Sequence, residues 1–215
     1  MNKTPRSEPS TPSHDRVYRT LRTRIMLGEV APGTAMTLRG IGADFGVSMT
    51  PAREAVRRLV AEGALTLSAS GRVATPEPGP DRIEELAALR ALIEAELAAR
   101  ALPRAHIALI ERMAAINTQV DAAIARDDAV GYIRANLEFH RALYLRAQAP
   151  AMLATVENVW LQLGPTMRQL YGQLNAGNNH NGHGRILAAL RAGDEAALRS
   201  AISEDVARGL RVLTP

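Results

Sequence analysis

The clearest chemistry in the sequence lies in the run Asp44-Phe45-Gly46-Val47-Ser48-Met49-Thr50-Pro51-Ala52-Arg53-Glu54-Ala55-Val56-Arg57-Arg58-Leu59. A helix should stop at Gly46, Val47 should plug inward, and a second helix should open with Thr50 as N-cap and Pro51 as its first residue. Helical spacing turns Ala52, Val56, Leu59 and Val60 inward and Thr50, Arg53, Glu54 and Arg57 outward. Two short helices joined by a tight glycine turn, the second basic on its outer face, are the form of a helix-turn-helix whose second helix enters a DNA groove. A guanidinium at the position of Arg53 can bond guanine O6 and N7, worth roughly 1–3 kcal/mol of discrimination. Thr50 and the first free amides can hold a phosphate. Arg57 and Arg58 are ambiguous, since Glu54 and Glu62 offer them ion-pair partners.

Other donors lie much farther along the chain. Asn136 and His140 are four apart and share one helical face, His183 opens a later helix, and Asp205 sits in the last one. Arg90 and Arg134 fall on helices expected to line the same interior, where a guanidinium needs an anionic partner: a bound carboxylate, or for Arg90 the glutamate Glu94 at i+4. Trp160 and Tyr132 read as core.

The elements that must position these groups follow from periodicity and punctuation. Residues 1–13 are rich in Pro, Ser and Thr and predict a disordered tail. Residues 14–75 predict three helices, with stripes at Val17, Leu21, Ile25 and at Leu38, Ile41, Phe45, capped by Thr37. A hairpin wing follows, from Leu65-Thr66-Leu67 and Arg72-Val73-Ala74. Residues 76–80 contain three prolines and predict a stiff linker. Residues 81–215 read as helix throughout, with Gly164-Pro165 interrupting or kinking one segment and 176–182 forming a loop. His180 in that loop reads as a solvent residue. The expected fold class is mainly α: an N-terminal winged helix-turn-helix of three helices and a small β-hairpin wing, then an all-α antiparallel bundle.

Bulk properties agree. Apolar residues make up 47% of the 215 and cysteine is absent, which removes disulfides, thiolate metal sites and a cysteine nucleophile. No apolar run is long enough to span a membrane, so a soluble, cytoplasmic protein is expected. The net charge of +4 is unevenly placed. Residues 15–75 carry nine arginines against five acids, and residues 76–215 fifteen arginines against sixteen. Basic character therefore belongs to the part expected to face phosphates.

The residues 21–33, the Gly46–Leu59 run, Glu62-Gly63 and the wing resemble the GntR family of bacterial transcription regulators. Leu89-Arg90 with Glu94, residues 136–140 and residues 183–194 look like the all-helical (FCD) effector domain of its FadR-type branch. The resemblance implies a homodimer that binds an inverted repeat in double-stranded DNA and is switched by a small effector, often a carboxylate. It implies DNA contacts from Arg39, Arg53 and the wing tip Ser70, Gly71 and Arg72, which with Ser48, Thr50 and Arg57 make the candidate DNA-binding set. The family often has another arginine where this chain has Met49, so base preference there should differ.

The resemblance also implies a metal held by an aspartate or asparagine four before a histidine and by two further histidines. Here those positions are Asn136, His140, His183 and, in place of the last histidine, Asp205. Two imidazoles with two oxygens suit Zn, Ni or Mn better than a soft ion. Arg90 and Arg134 are the candidate effector-binding residues.

The expected function is a sequence-specific, non-enzymatic transcription regulator, a repressor controlled by a metabolite. Two alternatives stand beside it: a DNA-binding dimer without effector, and a metalloenzyme built on the bundle. The second lacks both a Glu-x-x-His pair and a His-Glu-x-x-His helix.

Overall fold

The computed structural model describes residues 13–176 and 182–211. The expected tail, His180 and most of its loop lie outside the described residues. The chain begins with α1 (Ser13–Met26), β1 (Ala35–Thr37), α2 (Leu38–Phe45), α3 (Met49–Ala61), β2 (Thr66–Leu67) and β3 (Arg72–Ala74). Val17, Leu21 and Ile25 of α1 meet Ile41 of α2 and Ala52, Ala55, Val56 and Leu59 of α3 in one core, so the three stripes close on each other.

The wing has one strand more than the hairpin predicted: the antiparallel order is β1-β3-β2, with Met36 opposite Val73 and Leu67 also opposite Val73. Three residues of β1 are too few for alternation to show in sequence. Val73, in the central strand, is fully buried.

The turn between α2 and α3 is set by Gly46, whose φ of 63° is left-handed and whose N–H closes α2 on Ala43 and Gly42. Thr37 caps α2 by accepting from the Gly40 N–H at 3.0 Å. One expected boundary shifts. Helix α3 starts at Met49 with Ser48 as N-cap, so Thr50 and Pro51 lie inside the first turn. Pro51 tolerates that place because a first-turn N–H has no intrahelical partner.

The bundle comprises α4 (Pro80–Ala101), α5 (Ile107–Ala125), α6 (Ala129–Tyr144), α7 (Pro150–Ala176), α8 (Gly182–Ala192) and α9 (Glu195–Arg211). Asp128 caps α6 through the Gly131 N–H at 2.8 Å. The core runs from Leu97 and Ala101 of α4 through Met113, Phe139 and Leu143 to Ile186, Leu198 and Ile202. Leu89 is 37% exposed beside Leu92 at 73%. Helix α4 is apolar on two sides, and the outer stripe belongs to the second one. Gly164-Pro165 does not end α7, which continues as one helix to Ala176.

Helix α7 also joins the two parts. Its Leu161 is fully buried in the core formed by α1, α2 and α3. Gly164 packs so closely on α1 that a Cβ there would lie 2.6 Å from Met26 Cα and nearer still to the Ile25 carbonyl. Across the contact, a Cβ on Gly28 would meet the Gly164 carbonyl at 3.0 Å. Glycine on both sides is what permits this approach.

Candidate functional site

Two regions hold the expected residues. On the N-terminal part, Arg39, Ser48, Thr50, Arg53, Arg57, Ser70, Gly71 and Arg72 are all exposed. Ser48 makes no side-chain cap to α3, and the first turn of α3 contains no acid. The positive end of that helix is thus not neutralised by its own chain. The wing tip is a tight turn in which Gly71 adopts φ 80°, its N–H donates to the Ser68 carbonyl at 2.9 Å, and the Ser68 hydroxyl accepts from the Arg72 N–H at 3.0 Å.

Arg58 is separated from this set. It donates to Asp15 at 2.6 Å and lies 3.7 Å above the Tyr18 ring, so it ties α3 to α1. Tyr18 in turn reaches Glu62 at 2.5 Å, where Arg22 also bonds at 3.3 Å. Of the two arginines left ambiguous by sequence, one is spent on structure and the other, Arg57, is exposed.

In the bundle the fold brings together His140 of α6, His183 of α8 and Asp205 of α9. Each offers a donor atom within 4.8 Å of the others. His140 and His183 are 1% and 5% exposed. Their rings lie 5.3 Å apart, and Phe139 stacks on His183 at 3.8 Å.

The tautomers follow from the hydrogen bonds. Burial, then the neighbouring Glu94 carboxylate, hold the Tyr144 hydroxyl pKa well above its usual value, so it keeps its proton. That proton goes to Glu94 Oε2 at 2.9 Å, because a carboxylate can only accept. The Tyr144 oxygen is left to accept from His140 Nδ1 at 3.2 Å, which places the proton on Nδ1. His183 Nδ1 likewise donates to Asn117 Oδ1 at 2.7 Å.

Both imidazoles therefore turn Nε2 toward the cluster. Among the described residues the buried His140 Nε2 meets no well-aligned hydrogen-bond partner, although Asp205 Oδ2 is 3.1 Å away. A bare imidazole nitrogen facing a carboxylate oxygen calls for a cation between them, a proton or a metal ion. Burial, with the neighbouring His140, lowers the His183 pKa to about 4, so it is a neutral donor near pH 7. Burial works to raise the Asp205 pKa, but the close approach of His140 outweighs it and keeps the carboxyl ionised. Two imidazoles and one carboxylate, the rings oriented by outer hydrogen bonds, fit a divalent ion of the zinc class.

Asn136 lies one turn before His140 and, with Arg90, Leu137, Trp160, Leu163, Met167 and Met26 of α1, borders a cavity of about 10 Å³. That is room for about one water molecule. Arg90 is buried and bonds Glu94 at 2.6 Å. Burial opposes its charge, but Glu94 more than compensates and raises its pKa above the ordinary value. Glu94 also accepts from Trp160 Nε1 at 2.9 Å. The structural ion pair is thus the partner that Arg90 has.

Arg134 departs from expectation. It is exposed, in a surface groove with Gln119, Arg126 and Glu138 between α5 and α6. Two residues before Asn136, it sits about 200° around the helix, away from the histidine face. The Arg90–Glu94 pair is one the i, i+4 spacing offers, whereas Tyr144, Asn117 and the bonds that Glu94 accepts from Tyr144 and Trp160 are not among the expected contacts. Tyr144 continues the i, i+4 ladder of Asn136 and His140, a signal present in the sequence, whereas Asn117 on α5 leaves none.

Known proteins resemble this chain in sequence and in fold. Residues 85–208, more than half of the chain, match the FCD domain family, and residues 13–73 match the bacterial regulatory proteins of the gntR family. The chain is 25% identical over 196 residues, 90% of its length and 89% of the relative's, to the HTH-type transcriptional regulator McbR of Escherichia coli (strain K12). It is 28% identical over 152 residues, 71% of its length and 60% of the relative's, to the gluconate operon transcriptional repressor of Bacillus subtilis (strain 168).

The fold superposes on solved E. coli McbR/YncC with a TM-score of 0.86 at 24% identity, covering 94% of this chain and 97% of that one. For a GntR regulator from Rhodococcus sp. RHA1 the TM-score is 0.75 at 21% identity, covering 94% and 98%. A winged helix and a helical bundle matched in the same order over nearly the whole chain leave one assignment: the protein belongs to the GntR family of bacterial transcription regulators and carries an FCD effector-binding domain.

Proposed function

We propose that the protein acts as a homodimeric repressor whose operator binding is controlled by a small carboxylate and a divalent metal, Zn, Ni or Mn, in the bundle. The observation that carries this reading is the His140, His183 and Asp205 cluster, three donors within 4.8 Å whose imidazole tautomers are set for coordination. Asn136 is the fourth candidate ligand. Three protein donors leave an ion of this class room for a ligand oxygen. With Arg90 already paired to Glu94, the metal rather than Arg90 is the receptor for a carboxylate in this reading, and Arg134 has no part in it.

Control of DNA binding follows from Met26. The space beside Asn136 and Arg90 is only about 10 Å³, and one of its walls belongs to α1 of the DNA-binding part. An occupant larger than water must move one of the walls, and in this reading it moves Met26, so it binds two domain arrangements with different affinities. The outer stripe of α4, with Ala88, Leu89 and Leu92 exposed, supports pairing of two copies. On DNA, Arg53 reads a base, while Arg39, Ser48, Thr50, Arg57 and the wing tip Ser70, Gly71 and Arg72 hold the backbone.

The test is to select bound genomic DNA with the full chain and titrate the recovered operator against wild type and Arg53→Ala, with and without added metal. Sequence preference lost in Arg53→Ala at unchanged helicity supports the reading, as does operator affinity that responds to metal in wild type but not in His140→Ala/His183→Ala. Equal preference in Arg53→Ala, or affinity indifferent to metal and carboxylates alike, would sink the respective half.

A further inference from the structure

We propose that Met49 is a base-reading residue: its side chain contacts the C5-methyl group of a thymine in each operator half-site. The inference rests on the DNA-binding reading above and adds a specificity determinant to it.

Met49 is the first residue of α3 and is 42% exposed. Its neighbours on that surface, Ser48, Thr50, Arg53, Glu54 and Arg57, are exposed and polar, while Ala52, Ala55, Val56 and Leu59 on the opposite side are fully buried. Met49 is therefore a large apolar side chain left in water on the polar face of α3. Helix stability gives no reason for it. The first turn of a helix favours acids, and α3 has none there; capping falls to Ser48, whose side chain makes no capping bond. The core gives no reason either, because it closes around Val47, Ala52 and Val56 without Met49.

Position supplies the role. Met49 precedes Arg53 by four residues, so the two side chains share a flank of the helix about 6 Å apart along its axis. That distance spans between one and two base-pair steps of 3.4 Å each. N-terminal residues of a recognition helix are the ones that reach base edges. An uncharged thioether gains nothing from phosphate, and the thymine methyl is the apolar group that the major-groove edges present. The unbranched, polarisable side chain can adjust to meet it.

The experiment replaces each thymine of the selected half-site by deoxyuridine, one at a time, which removes the methyl group and no hydrogen-bonding group. Operator affinity is measured for the full-length wild type and for Met49→Ala, Met49→Gln and Met49→Leu. In wild type, one thymine per half-site should lose about fourfold in affinity on replacement, the worth of one buried methyl group. Met49→Leu should keep that penalty, and Met49→Ala and Met49→Gln should lose it at unchanged melting temperature. A half-site with no sensitive thymine, or a penalty that persists in Met49→Gln, overturns the proposal while leaving the regulator intact. Absence of any sequence preference in the wild type overturns the DNA-binding reading and this one with it.

Discussion

The Tyr144 hydroxyl accepts the Nδ1 proton of His140 across 3.2 Å because its own proton is committed to Glu94, 2.9 Å away. The direction of each bond is forced by the next, back to a carboxylate that can only accept. Removing the hydroxyl in Tyr144→Phe should weaken metal binding by about 10- to 100-fold, the range typical of outer hydrogen bonds to ligating histidines. Asn117→Ala should do the same through His183. Competition against a chromophoric chelator measures both, and affinities equal to wild type would show that the rings are oriented by packing alone.

His183 makes the apoprotein sensitive to acid. Its pKa is about 4 in the fold against an ordinary 6.5, so as pH falls the unfolded chain takes up this proton first. The contribution is complete above about pH 6.5 and is lost on the way down to about pH 4, amounting to roughly 3 kcal/mol. Urea unfolding of chelator-treated protein at pH 7 and pH 4.5 should show that loss, and His183→Gln should lack it. An identical loss in the variant would assign the acid sensitivity elsewhere.

What the sequence shows and hides follows from the range of each signal. The turn at Gly46, the cap at Thr37 and the stripes of α1 and α2 depend on neighbours a few residues apart, and they are visible in the chain. The Asn136 and His140 pair is visible for the same reason. The bond from Asn117 to His183 joins residues 66 apart, and that from Trp160 to Glu94 another 66 apart, so no local pattern announces them. Arg58 is an instructive case. Its i, i+4 neighbours suggest Glu54 or Glu62, but the docking of α1 offers Asp15 at 2.6 Å. Gly164-Pro165 shows the limit of a local breaker signal: it allows an interruption or a kink, and α7 runs through both residues as one helix, with Gly164 packed against the backbone of α1.

Leu161 and Gly164 couple the two parts of the molecule. Leu161→Ala removes a fully buried side chain that α7 places in the core of the DNA-binding part, and should cost about 2–5 kcal/mol. Gly164→Ala instead pushes a Cβ toward the backbone of Ile25 and Met26, which cannot rotate aside as a side chain could. It should force α1 from α7 at a cost of about 1–3 kcal/mol. Metal affinity should survive this change, since His140, His183 and Asp205 lie on α6, α8 and α9. Operator affinity should stop responding to metal. An operator response equal to wild type would show that the signal does not cross this contact.

Arg57 and Arg58, adjacent in sequence, should separate cleanly in a salt titration of operator binding. Arg57 is exposed on the outer face of α3, and Arg57→Ala should reduce the slope of log affinity against log salt by about 1, with the melting temperature unchanged. Arg58 is held by Asp15 and by the Tyr18 ring, and its bond to Asp15 lowers the aspartate pKa. Arg58→Ala should leave the slope as it is and lower the melting temperature. Because a depressed aspartate pKa contributes stability above its ordinary value and loses it as pH falls, the difference in melting temperature between wild type and Arg58→Ala should shrink below about pH 4. A salt slope that falls equally in both variants would place Arg58 on the phosphate backbone and make its bond to Asp15 a feature of the unbound state alone.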